Sequence, residues 1–138
     1  MERIQEKIRD IKNSIKKVDE GLPEDYEVFG SMGLEKDGIY KNIEVAIQSS
    51  YDICALILKE ENLEVPGDEE SLPDIVADAG FIEDRMAEKL KDMKGFRNAL
   101  AHRYGRIDDA EAYENIQSGL EDFQGFLSQI EKYLENKG

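Results

Sequence analysis

The opening stretch, ERIQEKIRDIKNSIKKVDEGLP over residues 2–23, places Ile4, Ile8, Ile11, Ile15, Val18 and Leu22 at steps of three and four, with charged side chains between them. That spacing draws one narrow apolar stripe along a helix, and Gly21 and Pro23 end it. A stripe so narrow suits packing against one long neighbouring helix, either within the chain or across a dimer. The next long segment, from about Leu34 to Asn62, has a wider stripe: Ile43, Ala46, Ile47, Tyr51, Cys54, Ala55 and Leu58. It reads as the central helix of a core. Residues 24–33 between the two read as irregular, with Gly30 and Gly33 as breakers.

Further along, Glu64-Val65-Pro66-Gly67-Asp68 reads as a loop. Ser71-Leu72-Pro73-Asp74 then looks like an N-cap with an acid at the third helical position, opening a short helix that runs to Ala79 and stops at Gly80. A third long helix is expected from Glu83 or Asp84 to about residue 100, with Gly95 a weak point in its middle. Gly105 reads as its stop. Asp108 or Asp109 should cap the last helix, which presents Tyr113, Ile116, Leu120, Phe123, Phe126, Leu127, Ile130 and Leu134 to the core. No segment alternates with period two. The expected fold is all-α, an antiparallel bundle of four long helices and one short one, forming a single domain over residues 1–138.

The 138 residues suit one compact core. No secretory leader is visible, and no apolar run approaches the roughly 20 residues that a membrane span needs. The single cysteine, Cys54, excludes an internal disulfide. These features point to the cytoplasm. The formal charge of −14 argues against indiscriminate nucleic-acid binding. Its distribution is uneven, however. Between residues 85 and 106, seven bases (Arg85, Lys89, Lys91, Lys94, Arg97, Arg103, Arg106) face two acids, Glu88 and Asp92. The one basic stretch also holds the one histidine, His102. Charge alone allows two readings of it, a phosphate-binding surface or a helix whose bases pair with acidic neighbours.

Within it, residues 96–104 read F-R-N-A-L-A-H-R-Y. On a helix Asn98 and His102 share a face, while Arg97 and His102, five apart, lie about 140° around the axis. The two can still converge on a ligand that lies across both faces. Histidine exchanges a proton near neutral pH, and arginine offers a fixed fork of donors to phosphate oxygens. The pair suits metal-free RNA cleavage. In that reaction a ribose 2′-hydroxyl attacks its own phosphate, a base takes the hydroxyl proton, and a cation steadies the oxyanion. Asn98 could orient the imidazole or hold a ribose hydroxyl, and Lys94, Arg103 and Arg106 are further candidates for RNA backbone contacts. The chemistry wants an acid and a base, and one histidine per chain supplies both only if two copies meet around one groove. A structural reading stands beside this one, in which His102 is a cap or surface group, Arg97 pairs with an acid, and Tyr104 is a half-buried packing residue.

The run from Arg97-Asn98 to His102 and Tyr104 resembles the R-x4-H-x-Y signature of HepT toxins, within the HEPN (higher eukaryotes and prokaryotes nucleotide-binding) group. The likeness continues through Val45-Ala46-Ile47-Gln48-Ser49, Tyr51-Asp52-Ile53, Leu90-Lys91-Asp92-Met93, Ile107-Asp108-Asp109 and Leu120-Glu121-Asp122-Phe123, covering about residues 35–134. The chain departs from the pattern at Ala101, where valine or isoleucine is common. The resemblance implies a homodimeric helical toxin that cuts cellular RNA, tRNA or mRNA, with Arg97 and His102 as the catalytic pair and Asn98 beside them. It also implies a partner, a minimal nucleotidyltransferase antitoxin that transfers AMP onto Tyr104. No metal and no cofactor is called for. The competing reading is a non-catalytic HEPN module that docks a nucleotidyltransferase or a nucleotide.

Overall fold

The computed structural model describes residues 2–101 and 108–137. Its elements are α1 (Glu2–Gly21), α2 (Tyr26–Ser31), α3 (Leu34–Glu60), a 3-10 turn (Glu69–Ser71), α4 (Leu72–Asp78), α5 (Asp84–Ala101) and α6 (Asp109–Lys137). Among the described residues there is no strand, and α1, α3, α5 and α6 are the four long helices. The all-α class and the four long helices expected from the sequence are observed.

The centre of the bundle is α3. It buries Ile39, Tyr40, Ile43, Ala46, Ile47, Ser49, Ser50, Tyr51, Ile53, Cys54, Ile57 and Leu58, which span rather more than half of its circumference at about 3.6 residues per turn. So wide an apolar face needs several neighbours, and α1, α4, α5 and α6 all touch it. Cross-links fix the directions. Lys7 pairs with Asp52 at 3.2 Å, while Gly21 faces Ile39, so α1 and α3 run antiparallel. Tyr51 and Gln48 of α3 meet Leu90 and Arg97 of α5, again antiparallel. Glu83, just before α5, and Met86 and Lys89 within it meet Gln129, Gly125 and Asp122 of α6, also antiparallel. The isoleucine stripe of α1 lies on α3, with Ile4, Ile8, Ile11 and Val18 buried and Ile15 and Leu22 only partly covered. Here the narrow stripe finds its long neighbour within the chain.

Three local expectations are corrected. Residues 24–33 are not irregular, because α2 forms over Tyr26–Ser31 and contains Gly30, so there are two short α-helices where one was expected. Asp25 nucleates α2 by accepting from the Glu27 amide at 3.0 Å, and Phe29, 0% exposed, anchors it against the rings of Tyr40 and Tyr113 at 5.8 and 5.3 Å. That anchor is a tertiary contact, invisible to local periodicity. Ser71 makes no side-chain cap at α4. Asp68 caps instead, accepting from the Ser71 amide at 3.2 Å, and a 3-10 turn precedes the helix. Gly80 does end this stretch, in the left-handed conformation at φ +86°. Gly95 lies inside α5 with open space around it, and the helix runs through. Gly105 lies outside the described residues.

Because Phe29 is the one buried side chain of α2, Phe29→Ala should lower unfolding free energy by about 3 kcal/mol. Equilibrium urea unfolding checks this. The far-UV helix signal should fall only slightly, since α2 has six residues.

Candidate functional site

The third long helix delivers the first half of the motif. Arg97 and Asn98 lie in its last turns, with Asn98 exposed and Arg97 turned inward toward α3. His102, Arg103, Tyr104 and Arg106 lie outside the described residues. The segment that carries them is bounded by Ala101 at the end of α5 and by Asp108 at the cap of α6.

Arg97 is held from two sides. One terminal nitrogen, Nη1, donates to the Gln48 side-chain oxygen on α3, and Nη2 lies 3.2 Å from Glu69 Oε2 on the 3-10 turn. The Gln48 amide in turn donates to Asp52 at 2.9 Å, one helical turn on, and Asp52 pairs with Lys7 of α1. The guanidinium is thus the middle of a polar chain that crosses α1, α3, α5 and the 3-10 turn. Restraint of this kind fixes the direction of a long side chain before any ligand arrives.

Lys94, one turn before Arg97, reaches the same Glu69 oxygen at 3.5 Å. It also lies 5.6 Å from the centre of the Tyr51 ring, where the ring face attracts a cation. Burial pushes the Tyr51 hydroxyl well above its ordinary pKa, and the group donates to the Leu90 carbonyl at 2.9 Å. Tyr51 is therefore a neutral, fixed platform. Cys54, one turn on, is wholly buried, and desolvation pushes its thiol up to about 12, so it takes no part in nucleophilic chemistry at neutral pH.

Four of the bases singled out in the sequence have carboxylate partners. Lys89 meets Asp122 at 3.2 Å, Lys91 meets Asp74 at 3.1 Å, and Lys94 and Arg97 share Glu69. The pairing alternative is thus realised for these four, and the partner of Arg97 is not an acid of the last helix. On the other side of α5, a groove of about 650 Å³ opens toward α6. Among the described residues its acids are Asp92, Asp108, Glu111 and Asp122, and its one base, Lys89, is already paired to Asp122. These side chains repel phosphate.

Beyond the motif, α6 starts on a fixed point. Asp108 accepts from the Ala110 and Glu111 amides at 3.0 and 3.3 Å, which is the cap expected from the sequence. Asp109 accepts from Lys36 at 2.8 Å and from Tyr40 at 2.6 Å. Partial burial pushes the Asp109 carboxyl up, but the Lys36 and Tyr40 contacts outweigh it and hold the group below its ordinary range. The sequence reading missed Gln48 and Glu69. The i, i+4 pairing of Gln48 with Asp52 was visible on α3, whereas nothing in the sequence pointed Glu69 at Arg97. Among the described residues no group of three or more His, Cys, Asp or Glu side chains is placed to hold a metal ion, and no helix is long and apolar enough to cross a membrane.

A helical bundle that ends its third long helix on this motif defines a class, and comparison with known proteins gives the family. Residues 2–130 match the family described as ribonuclease HepT-like, and the chain belongs to that family. It is 28% identical over 134 residues to a candidate RNase of Archaeoglobus fulgidus, covering 97% of this chain and 95% of that one. It is 25% identical over 124 residues to the mRNA nuclease HepT of Shewanella oneidensis, covering 90% and 92%. Among solved structures it resembles the tri-AMPylated HEPN toxin of Shewanella oneidensis in complex with its MNT antitoxin. The TM-score is 0.87 at 25% identity, over 96% of this chain and 98% of that one.

The Asp109 clamp has a testable consequence. A carboxyl held below its unfolded pKa stabilises the fold above about pH 3.8 and loses that contribution as pH falls through the folded value. Asp109→Asn should therefore lower Tm at pH 7, and the gap to the parent should narrow below pH 4. Thermal melts across pH 3–7 check this, and a constant gap would overturn it.

Proposed function

We propose that this chain is the toxin of a two-component toxin–antitoxin pair, a metal-independent endoribonuclease whose catalytic residues are Arg97 and His102. The observation that carries the reading is the placement of Arg97. Its guanidinium is held across four elements at the end of the helix that leads into His102, on the side of α5 away from the acidic groove. A cation so restrained suits stabilisation of a pentavalent phosphorane, where charge develops on the non-bridging oxygens. His102 would take the 2′-hydroxyl proton or return one to the departing 5′-oxygen, the products being a cyclic phosphate and a free hydroxyl. Asn98, exposed one position on from Arg97, is free to hold a ribose hydroxyl.

The two proton transfers want two imidazoles, and each chain has one. A homodimer that brings two copies of the α5 end to one groove meets this requirement. The substrate is cellular RNA, consistent with the mRNA nuclease among the relatives. The partner is a minimal nucleotidyltransferase, as in the Shewanella complex, whose toxin carries three AMP groups. The acceptor in this chain is Tyr104, two residues from His102. An adenylate there adds a negative phosphate and bulk where RNA must lie, which silences the toxin.

A second reading is favoured by one observation: Arg97 and Lys94 are already paired with Glu69. A module whose cations are neutralised internally could serve only to dock a nucleotidyltransferase. Expression in bacteria separates the two readings, because a nuclease arrests growth and His102→Ala relieves the arrest, whereas a docking module does neither.

In a purified assay, Arg97→Ala and His102→Ala should each lower RNA cleavage at least about 100-fold with the helix content retained. Cleavage at the parent rate by both variants would end the nuclease reading. The chain co-expressed with its nucleotidyltransferase should gain mass in AMP steps, and Tyr104→Phe should abolish the gain. Mass spectrometry of the intact protein decides this.

A further inference from the structure

We infer that Arg97 and Lys94 form a two-cation phosphate subsite whose occupant in the free chain is the Glu69 carboxylate, which an RNA backbone must displace to bind. The inference rests on the ribonuclease reading above, since it takes the ligand to be a phosphodiester. Three features of the geometry carry it. First, a single oxygen, Glu69 Oε2, serves both cations, at 3.2 Å from Arg97 Nη2 and 3.5 Å from Lys94 Nζ. That is the arrangement a non-bridging phosphate oxygen would take between them, and carboxylate and phosphate compete for the same guanidinium donors.

Second, the three side chains are unequally covered. Those of Arg97 and Lys94 are 19% and 15% exposed, against 41% for Glu69. The acid therefore lies on the solvent side of the pair. Its exposed ion pairs are weak and easily exchanged. Third, the cations do not depend on Glu69 for their placement. Gln48 holds the other terminal nitrogen of Arg97, and the Tyr51 ring lies beneath Lys94. Glu69 begins a three-residue 3-10 turn that is tied by Asp68 to the Ser71 amide. A side-chain rotation can thus carry its carboxylate into water while the backbone stays capped. The device has a function in a chain of net charge −14: it masks the two cations until a ligand with closely spaced phosphates competes for them.

The mask leaves a signature in the salt dependence of binding. RNA phosphates shed their condensed cations on binding with or without the carboxylate. The mask is itself an ion pair that salt weakens, so removing it makes affinity fall more steeply with salt. The experiment measures binding of a 2′-O-methyl oligoribonucleotide, which cannot be cleaved by its own 2′-oxygen, to the full chain and to Glu69→Gln over a salt series. Glu69→Gln should bind about threefold to tenfold more tightly at low salt. Its log–log slope should be steeper, so that the difference from the parent narrows as salt rises. Lys94→Gln should weaken binding more in the Glu69→Gln background than in the parent, because only there is the lysine free.

Glu69→Ser removes the charge without leaving an amide that could keep the Arg97 contact, and it must move affinity and slope the same way. Circular dichroism confirms that each variant keeps its helices, and the serine variant carries the test if the glutamine variant does not. Unchanged or weaker binding with an unchanged slope in a folded variant overturns the inference, as does absence of oligonucleotide binding by every variant. Failure of the parent to cleave RNA removes the nuclease reading but leaves a tightened, steeper Glu69→Gln isotherm as support for the subsite. Cleavage by the parent with no Glu69 effect removes the subsite alone.

Discussion

The constraint that shapes this molecule is the wide buried face of α3. With buried side chains over more than half of its circumference, the helix needs partners on several sides, and every other long helix packs against it. A central helix in a bundle has little room for polar atoms, since an unpaired one in a dry interior costs about 1–3 kcal/mol. The polar atoms that α3 does carry are accordingly matched. Ser50 donates to the Ala46 carbonyl at 2.9 Å and Tyr51 to the Leu90 carbonyl at 2.9 Å, and no buried side-chain nitrogen or oxygen among the described residues lacks a partner.

The polar chain through Gln48 follows from the same constraint. Toward the Arg97 side, α3 changes from apolar to half-buried polar side chains at Gln48 and Asp52, one turn apart. Their amide and carboxylate need partners, and Arg97 and Lys7 supply them from α5 and α1. The interaction that orients the candidate catalytic arginine is thus part of how the bundle satisfies its own interior edge. Removing Arg97 would take the donor from the Gln48 side-chain oxygen at a partly covered position, so loss of chemistry and loss of stability must be measured separately for that residue. Glu69 is different. It is the most exposed member of the group and contributes least to burial, so its charge can be changed with little effect on the core.

Legibility in the sequence followed the same division between local and tertiary causes. The four long helices were readable because each carries a periodic stripe several turns long, as in Ile4 to Val18 or Tyr113 to Ile130. The bounds of α3 and α5 were close for the same reason. The short α2 was missed because its six residues hold too little periodicity and its stability comes from Phe29 meeting Tyr40 and Tyr113, residues distant in sequence. The capping role of Asp68 was given to Ser71, since Pro73 at the helix start drew the reading forward and a 3-10 turn leaves no periodic trace. At the candidate site, the proposal of Arg97 and His102 came from their spacing and from the family resemblance. Gln48 and Glu69 were missed, because a contact spanning 49 or 28 residues is written in the packing of helices rather than in any motif.

An acidic protein can handle RNA only by being basic in one place at one time. Here the acids are not spread evenly: the groove between α5 and α6 gathers Asp92, Asp108, Glu111 and Asp122 on one side of α5, while the described cations nearest the motif lie on the other. Water and salt around each face screen it from the other beyond a Debye length of about 8–10 Å. The polarity of α5 follows from its sequence, in which Lys94 and Arg97 fall three residues apart and so on one face, and Asp92 and Phe96 fall on another. On the function proposed above, one helix turns a polyanion toward its motif end by repelling it from the opposite side, and the net charge of −14 becomes a means of direction rather than an obstacle.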